Sequence, residues 1–583
     1  MRTMKSVPNS HSEELLLAIG AVAGVMIFSV WAAGGLAMLF SRHGWHEVPL
    51  SGSPALMLGI LKHPRDIRLA WPVKYRNLLG PTFSLYCFVL LVLMSAFALI
   101  LYSKSALVKK KKGASATLLK RSKAFGLPKS TKDNHAATWA TRGEIKNLVV
   151  GKNISGRLIL GKVNSKLIAT EVNQSVLITG PTQSGKTSGL AIPAILEWQG
   201  PLIATSVKTD LIRDTYNLRR SLGEVFVYDP TGVSGLPRSS WSPLSFSLTW
   251  AGALAMAAGL CQQAKNSGGG MEDAGFWYAT AEKLIAPLLY AAANTGATME
   301  EVLRWIDIGE EEEPFKILES LGNNQAMRAA IASFSREERQ KSSIYTTAET
   351  VLAAFSDPIV SGVSGRTDFT PEQFTSGKAN TLYLVSPSHF QQRLQSVFVA
   401  IVKTIINGAL EESARRSKAL DPALLLVLDE AANIAPLDNL DSLASIAAGH
   451  GIQLLTIFQD ISQVESRYGT RWATVVNNHR AKIICSSIAD PKTLEHFSTI
   501  IGETDRDVAS RSYDGAGNWT NSISQQSKRL APMDYLRRIE PEHAVLIYGH
   551  LPPVLMRLRP FYKDRDLRQL SATEIGSVRP QSK

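Results

Sequence analysis

The chain has 583 residues, of which 45% are hydrophobic and 19% are charged, and its formal net charge is +13. That length is enough for about two to four domains, and the composition is that of a globular protein with some apolar excess. The three cysteines, Cys87, Cys261 and Cys485, are far apart and odd in number, which excludes a disulfide framework and a zinc site and fits a reducing compartment.

The positive charge is concentrated near the N-terminus. Residues 1–132 contain 18 lysines and arginines and four acidic residues, whereas the remaining 451 residues contain 45 basic and 46 acidic ones. The main body is therefore close to neutral, so a DNA-binding surface in it would have to be a local patch.

Two long apolar segments precede the main body. Residues 15–40 and residues 78–103 contain no charged residue, and each segment of 26 residues would form a helix of about 39 Å, enough to cross a hydrocarbon core of about 30 Å. The alternatives are a signal peptide for the first segment and a buried core helix for the second. We predict two transmembrane helices, because the first apolar run is long, follows two glutamates and is followed by a second run.

Basic residues beside the second segment predict its orientation. Between Lys104 and Lys132 there are ten basic residues and no acidic one, so this side is expected to face the cytoplasm. Residues 1–14 are then cytoplasmic, and residues 41–77 form an extracytoplasmic loop, although that loop carries six basic residues. The basic linker, 104–136, is interpreted as a topology anchor that contacts anionic lipids, with direct DNA contact as the alternative.

A phosphate-binding loop follows a short apolar strand at residues 174–179. The sequence GPTQSGKT occupies residues 180–187, and residues 188–198 have helical spacing despite Pro193. Strand, glycine-bearing loop and helix are the context that this motif requires. The predicted nucleotide-binding residues are Gly180, Pro181, Thr182, Gln183, Ser184, Gly185, Lys186, Thr187 and Ser188.

Each residue type in this loop has a chemical role. Gly180 and Gly185 allow a backbone in which successive N–H groups point at phosphate oxygens, and the helix that begins at Lys186 adds its positive end. Lys186 is expected to contact the β- and γ-phosphates, and the Thr187 hydroxyl is expected to ligate Mg²⁺. The loop therefore predicts ATP and Mg²⁺ as cofactors.

A second apolar strand, residues 423–428, ends in Asp429 and Glu430. Asp429 is expected to hold Mg²⁺ through water, and Glu430 is expected to be the catalytic base that polarises the attacking water. We expect this strand to lie next to the strand of the phosphate loop. A third strand, residues 452–458, ends at Gln459, whose amide would sense the γ-phosphate; the alternative is a polar residue that only ends the strand.

Further strand patterns alternate with helical patterns. They cover residues 157–161, 167–170, 201–206, 224–229, 380–385 and 481–485. They predict an α/β fold with a doubly wound, mostly parallel sheet and a nucleotide at the strand ends. Residues 250–369 have few strand signals and several helical stretches, which predicts an inserted all-α subdomain. The nucleotide-binding domain is therefore expected at residues 137–249 and 370–565, with a polar tail at residues 566–583.

Four stretches of the sequence carry a family resemblance. They are GPTQSGKTSGLAIPAILEWQGPLIATSVKTDL from Gly180, VYDPTG from Val227 with SWSPL from Ser240, LLLVLDEAANIAPLDNLDSLASIAAGHGIQLLTIFQDISQVESRYG from Leu424, and RLAPMDYLRRIEPEHAVLIYGHLPPVLMRLRPFYKD from Arg529. In wording and order they resemble the coupling proteins of type IV secretion and conjugation, the TraG/TraD group. The resemblance covers about residues 137–564 together with the two apolar segments.

The resemblance implies a membrane-anchored, hexameric, RecA-like ATPase that receives a relaxase-bound DNA strand or a protein substrate and feeds it to a secretion channel. By position, Lys186 and Thr187 correspond to ligands of ATP and Mg²⁺, and Asp429 and Glu430 to the acidic pair. Gln459 corresponds to a strand-tip glutamine. The implied partners are DNA with a relaxase, components of the type IV secretion channel, the plasma membrane and further copies of the chain in a homo-hexamer.

One departure from the family concerns an arginine. Relatives often have an arginine just before the strand that ends in the glutamine, where it can reach a neighbouring subunit's nucleotide, but residues 445–450 contain none. Arg467, Arg471 and Arg480 are candidates on spacing alone. The SVKTDL stretch also differs from the common form, so Lys208 and Asp210 receive no role.

Three other functions remain open. The chain could export protein effectors, or translocate DNA like FtsK, although FtsK relatives normally have more spans and a C-terminal winged helix, for which there is no sequence signal here. It could also be a nucleotide-gated membrane scaffold with little hydrolysis, a reading that the missing arginine keeps open.

Overall fold

The structure, a computed structural model, describes residues 62–63, 65–79, 136–151, 154–267, 274–513 and 519–572, together with Leu36, Met38 and Leu56. The chain divides into two units, Met1–Asn134 and His135–Lys583. Apart from single positions at their ends, the predicted spans at 15–40 and 78–103 and the basic linker lie outside the described residues.

In the first unit, the described part of the predicted loop at 41–77 holds two short helical turns. These are a 3₁₀ turn, Ile67–Ala70, and a helix, Val73–Arg76. The Asp66 carboxylate begins the 3₁₀ turn by accepting from the Arg68 backbone N–H at 3.2 Å, and it pairs with the Arg68 guanidinium at 2.9 Å. The Arg76 guanidinium donates to the Trp71 carbonyl at 2.8 Å, so local bonds tie the two turns together.

The second unit is built on one large sheet of 11 strands and a separate two-stranded hairpin. The strands are β1 Ile159–Val163, β2 Lys166–Ala169, β3 Val176–Thr179, β4 Leu202–Ser206, β5 Val225–Tyr228, β6 Thr381–Val385, β7 Leu424–Leu428, β8 Ile452–Phe458, β9 Ala481–Cys485, β10 Glu503–Tyr513, β11 Trp519–Arg529, β12 His543–Tyr548 and β13 Val554–Arg557. In the large sheet the order is β2-β1-β13-β12-β9-β3-β8-β7-β4-β6-β5.

The run from β9 to β5 is parallel, whereas β12, β13, β1 and β2 add to its β9 edge in antiparallel fashion. The predicted mostly parallel α/β sheet is therefore confirmed. The expectation that the acidic strand lies next to the phosphate-loop strand is wrong, because β8 pairs with both β3 and β7 and separates them.

Helices cover both faces of the sheet. They are α1 Ile192–Glu197, α2 Asp210–Leu222, α3 Trp250–Ser267, α4 Ala274–Thr295, α5 Met299–Asp307, α6 Glu312–Leu321, α7 Asn324–Phe334, α8 Glu338–Leu352, α9 Pro358–Ser361, α10 Pro371–Thr375, α11 Gln391–Arg416, α12 Leu440–His450, α13 Ile461–Tyr468, α14 Trp472–Asn478, α15 Pro491–Ile501, α16 Met533–Arg537 and α17 Arg565–Ser571.

Strand β3 shows how the sheet separates two apolar cores. Val176 and Ile178 belong to the core on the side of α1 and α2, whereas Leu177 belongs to the core on the other side. Successive side chains of a strand point to opposite faces, and a parallel sheet is normally buried on both, which explains why β3, β7 and β8 are buried along their whole length and mostly apolar.

The segment between β5 and β6 forms helices α3 to α10 in its described residues, with 3₁₀ turns at Pro243–Phe246 and Ala353–Ser356. Apolar residues of α3, α4, α5 and α8 pack into the same core as Leu177 and Ile203 of the sheet. That residues 250–369 form a separate all-α subdomain stays a prediction.

One helix among the described residues is long and apolar enough to cross a membrane by length and composition. This segment, Ser388–Arg416, contains α11, and 56% of its most apolar 18-residue stretch is buried inside the protein. Its buried residues, such as Phe398 and Ile401, belong to the core shared with the sheet, so the apolar character of α11 follows from packing in the helical layer.

Candidate functional site: a phosphate loop facing two carboxylates

The loop between β3 and α1 has the backbone of a phosphate-binding nest. Gln183 and Gly185 have φ values of 66° and 85°, in the left-handed region that turns successive N–H groups inward. Gly180 is required for a different reason: a Cβ atom there would lie 2.5 Å from Ser184 Oγ and 2.8 Å from Cys485 Cβ. The Ser184 backbone N–H donates to the Pro181 carbonyl at 3.3 Å and closes the loop.

The ammonium group of Lys186 is buried inside this loop. Its Nζ donates to the carbonyls of Gly180 and Pro181 at 3.2 and 3.1 Å, and the residue is 6% exposed. A buried ammonium held by two neutral carbonyls is suited to donate hydrogen bonds to anionic oxygens.

The helix after the loop begins as a π-helical turn, Thr187–Ala191, and continues as α1. The Ile192 N–H donates to the Thr187 carbonyl in this wider turn, and Pro193 then lies in the first turn of α1, where its missing N–H costs little. The helical prediction over 188–198 thus missed a change of helix type.

The acidic strand delivers Asp429 directly to the start of this helix. Thr187 Oγ1 donates to Asp429 Oδ2 at 3.2 Å, and Thr205 Oγ1, from β4, donates to the Asp429 backbone carbonyl at 3.1 Å. Burial raises the pKa of Asp429 to about 6, although the nearby Lys186 and the Thr187 hydroxyl act in the opposite direction.

The residues present fit a divalent cation. Among the residues that the structure describes, the buried Asp429 Oδ1 has no hydrogen-bond partner, and its other carboxylate oxygen meets the Thr187 hydroxyl. Oxygen donors from one carboxylate and one hydroxyl, with further positions left for water and phosphate, are the ligand set that Mg²⁺ prefers.

Glu430 is held in a strained turn at the end of β7. Its φ is 53°, and its carbonyl accepts from the backbone N–H groups of Asn433 and Ile434 at 2.9 and 3.1 Å. The Ala431 N–H donates to the Ile457 carbonyl on β8 at 3.1 Å, which ties this turn to the neighbouring strand. A left-handed conformation at a bulky residue persists only when its surroundings fix it, and such residues cluster at functional sites.

The loop and both carboxylates line one cavity of about 200 Å³. Its lining residues are Thr182, Gln183, Gly185, Lys186, Thr187, Ser188, Val207, Lys208, Asp210, Asp429 and Glu430. The structure therefore brings together most of the predicted nucleotide ligands with the predicted metal ligand and base. Gly180, Pro181 and Ser184 shape the loop from behind this lining.

Gln459 follows β8, between the loop and the acidic strand, because Phe458 pairs with Thr179. Its backbone N–H donates to the Gln463 side chain at 2.9 Å, but the residue does not belong to the lining of the cavity. A role for Gln459 as γ-phosphate sensor stays a prediction.

Sequence reasoning left Lys208 and Asp210 without a role, yet both line the cavity. They follow β4, and β4 pairs directly with the acidic strand β7. Because the carboxyl ends of parallel strands meet at one edge of the sheet, their position after an apolar strand was the available signal.

The three arginines considered as substitutes for the family's arginine form ion pairs with acidic residues of the same chain. Arg467 lies 3.3 Å from Asp438, Arg471 lies 3.0 Å from Asp441, and Arg480 lies 2.9 Å from Glu171. Arg480 immediately precedes β9, at the amino end of the parallel strands, which is the edge opposite to the phosphate loop.

The VYDPTG stretch is explained by local structure. The buried Asp229 carboxylate accepts from the Thr231 hydroxyl at 2.8 Å and from the N–H groups of Gly232 and Ser234 at 2.9 and 2.7 Å. All of these partners belong to the turn after β5, so Asp229 stabilises that turn.

Comparison with known proteins places this chain in a family. Residues 128–581 match the family described as type IV secretory system conjugative DNA transfer. Protein VirD4 of Rhizobium radiobacter is 23% identical over 77% of this chain and 67% of its own length. Conjugal transfer protein TraG of Escherichia coli is 27% identical over 57% of this chain and 55% of its own length, so the alignment leaves a large part of that relative unmatched.

Solved structures share the fold. The plasmid coupling protein TrwB in complex with ADP and Mg²⁺ has a TM-score of 0.57 at 17% identity, over 75% of this chain and 97% of that one. TrwB lacking its first segment, in a trigonal form with sulphate, has a TM-score of 0.58 at 18% identity. Because the family match spans well over half of its residues, this protein is a member of the type IV secretory system conjugative DNA transfer family.

Proposed function

We propose that the protein is a coupling ATPase that uses MgATP hydrolysis to drive DNA into a type IV secretion channel during conjugation. The observation that carries the proposal is the bond between Thr187 and Asp429, which joins the phosphate loop to the acidic strand across 242 residues of sequence. This contact brings a triphosphate cradle, a cation site and a candidate base to one cavity.

The residues of the cavity divide the work of hydrolysis. The nest at Gln183 and Gly185 and the Lys186 ammonium bind and orient the β- and γ-phosphates. Thr187 and Asp429 would hold Mg²⁺, which when bound neutralises charge on the phosphate oxygens. Glu430 accepts a proton from the attacking water and orients it toward the γ-phosphorus.

Comparisons support both the nucleotide and the cargo. TrwB, which shares this fold, has been solved with ADP and Mg²⁺ and with a non-hydrolysable ATP analogue, and relatives at 23–27% identity are named for conjugal transfer. The finer parts of the proposal are anchorage by the spans at 15–40 and 78–103 in the inner membrane, assembly as a homo-hexamer, recruitment of a relaxase–DNA complex, and γ-phosphate sensing by Gln459.

The direct test is ATP hydrolysis by the detergent-purified full-length chain, with and without single- or double-stranded DNA. We expect hydrolysis that DNA stimulates, and we expect the Lys186→Ala variant to lose at least about 100-fold in rate, because a positioned donor to the phosphates is removed. A wild-type rate that DNA leaves unchanged, or that Lys186→Ala retains, would overturn the proposal.

A further inference from the structure

A chain of hydrogen bonds supports Glu430 from behind the cavity. Asn433 donates its backbone N–H to the Glu430 carbonyl at 2.9 Å, and its side-chain amide nitrogen lies 3.5 Å from Glu430 Oε2. Asn433 thus contacts both the strained backbone and the carboxylate of the residue that we assign as the base.

Asn433 is in turn held by helix α11. Gln395 Nε2 donates to the Asn433 carbonyl at 2.8 Å. Gln395 lies in the second turn of α11, which begins at Gln391, and its side chain is half-buried. A hydrogen bond from an amide to a backbone carbonyl fixes the path of the turn without contacting nucleotide.

Gln395 also lines a second cavity, of about 550 Å³, which shares no lining residue with the nucleotide cavity. Helices of the segment between β5 and β6 contribute to its wall through Ala264 on α3, Tyr278 on α4 and Val351 on α8. The side chain of Gln395 therefore lies between the inserted helices and the turn that carries Glu430.

We propose that Gln395 and Asn433 are positioning residues for hydrolysis, which hold Glu430 at its working position from helix α11. The inference rests on the proposed ATPase function. It makes the second turn of α11 part of the support of the active site, although neither residue touches the nucleotide cavity. Removing the Gln395 donor lets the strained turn relax and displaces the carboxylate, while the phosphate loop keeps its shape.

A matched set of variants tests this. Gln395→Met keeps the length and packing of the side chain but removes the donor. Gln395→Lys keeps a donor, and the second cavity accommodates the longer side chain. Gln392→Met is the control, because Gln392 lines the same cavity from the same helix. The readouts are kcat and KM for ATP of the full-length chain in detergent.

For Gln395→Met we expect kcat to fall about tenfold with KM within about twofold of wild type, as for loss of one hydrogen bond that matters in the transition state. Gln395→Lys and Gln392→Met should keep wild-type kcat. A wild-type kcat for Gln395→Met, or a loss confined to KM, would overturn the inference. If the wild-type chain itself does not hydrolyse ATP, the proposed function fails and the inference fails with it.

Discussion

At the scale of single residues, the site depends on a buried carboxylate that is short of partners. Asp429 is 8% exposed, one of its oxygens accepts from the Thr187 hydroxyl while the other has no partner among the described residues, and burial has raised its pKa to about 6. Burying a carboxylate is costly unless it is paired, so a cation at this position would relieve that cost. The hydroxyl of Thr187 and the Asp429 carboxylate are therefore expected to act as one unit.

Replacing Thr187 tests this unit. Thr187→Val keeps the shape and removes the hydroxyl, and we expect the Mg²⁺ concentration needed for half-maximal ATP hydrolysis to rise at least about tenfold, because one ligand and one hydrogen bond to Asp429 are lost. Thr187→Ser retains the hydroxyl and should stay close to wild type. An unchanged Mg²⁺ dependence in Thr187→Val would show that the hydroxyl does not contribute to the cation site.

Most residues of the site were predictable because a local motif encodes them. The spacing of Gly180, Gly185, Lys186 and Thr187 specifies an anion-binding nest and the start of a helix within one short segment of the sequence. Lys208 and Asp210 were not predictable in this way, because their place in the cavity depends on the pairing of β4 with β7, a contact between distant parts of the sequence.

At the scale of elements, the segment after β13 packs on the helix of the phosphate loop. The Arg559 guanidinium donates to both carboxylate oxygens of Glu197, at the end of α1, at 2.8 and 3.0 Å, and to Asp564 at 3.1 Å. The Phe561 N–H donates to the Ser188 carbonyl at 3.0 Å. These bonds fix α1, and with it the loop, against the C-terminal part of the sheet.

Removing the ion pairs of Arg559 should lower the stability of the protein more than its rate of ATP hydrolysis. Arg559 is 4% exposed, so Arg559→Met leaves the Glu197 carboxylate largely buried without its partner, and we expect the free energy of unfolding to fall by about 3 kcal/mol. Unfolding in urea, monitored by the susceptibility of the chain to limited proteolysis, measures this change in the free energy of unfolding. The double variant Arg559→Met/Glu197→Met should recover most of the loss, and equal stability of the single variant and wild type would contradict the account.

A buried histidine between α14 and β9 predicts a pH dependence of stability. Burial lowers the pKa of His479 to about 4, and its ring nitrogens contact the Val475 carbonyl and the Thr456 hydroxyl at 2.7 and 3.1 Å. In the unfolded chain the pKa is higher, near 6.5, so the unfolded state binds the proton first and stability falls as the pH drops from about 6.5 to about 4.

The difference between wild type and His479→Gln isolates this effect. As the pH falls from 7 to 4, we expect wild type to lose about 3 kcal/mol more unfolding free energy than the variant, because only wild type carries the buried imidazole. Parallel pH profiles for the two proteins would contradict a neutral, buried His479.

Elements with a clear apolar pattern could be predicted from the sequence, whereas mostly polar elements could not. β3, β7 and β8 are short, mostly apolar segments, which is typical of strands buried on both faces of a sheet. The hairpin β10–β11 gave no such signal, because its sequence, ETDRDVASRSY paired with WTNSISQQSKR, is mostly polar and lies outside the large sheet.

At the scale of the whole molecule, the order of the strands in the sheet could not be predicted from composition or local sequence pattern. The insertion of β8 between β3 and β7 places Gln459 between the phosphate loop and the acidic strand, and β4 on the far side of β7 brings Lys208 and Asp210 to the same edge. Strand pairing in the sheet thus brings Thr187 and Asp429, which are 242 residues apart in the sequence, into contact at one site. In the described part of the chain, helices α3 to α10 occupy the interval between β5 and β6.

The most direct test of the central claim compares nucleotide binding with hydrolysis in the full-length Glu430→Gln variant. The substitution keeps the shape of the side chain and removes the base, so we expect affinity for a fluorescent ATP analogue within about threefold of wild type and hydrolysis slower by at least about 100-fold. A Glu430→Gln protein that hydrolyses MgATP at the wild-type rate would contradict the account, because the Glu430 carboxylate would then not be the base that activates the attacking water.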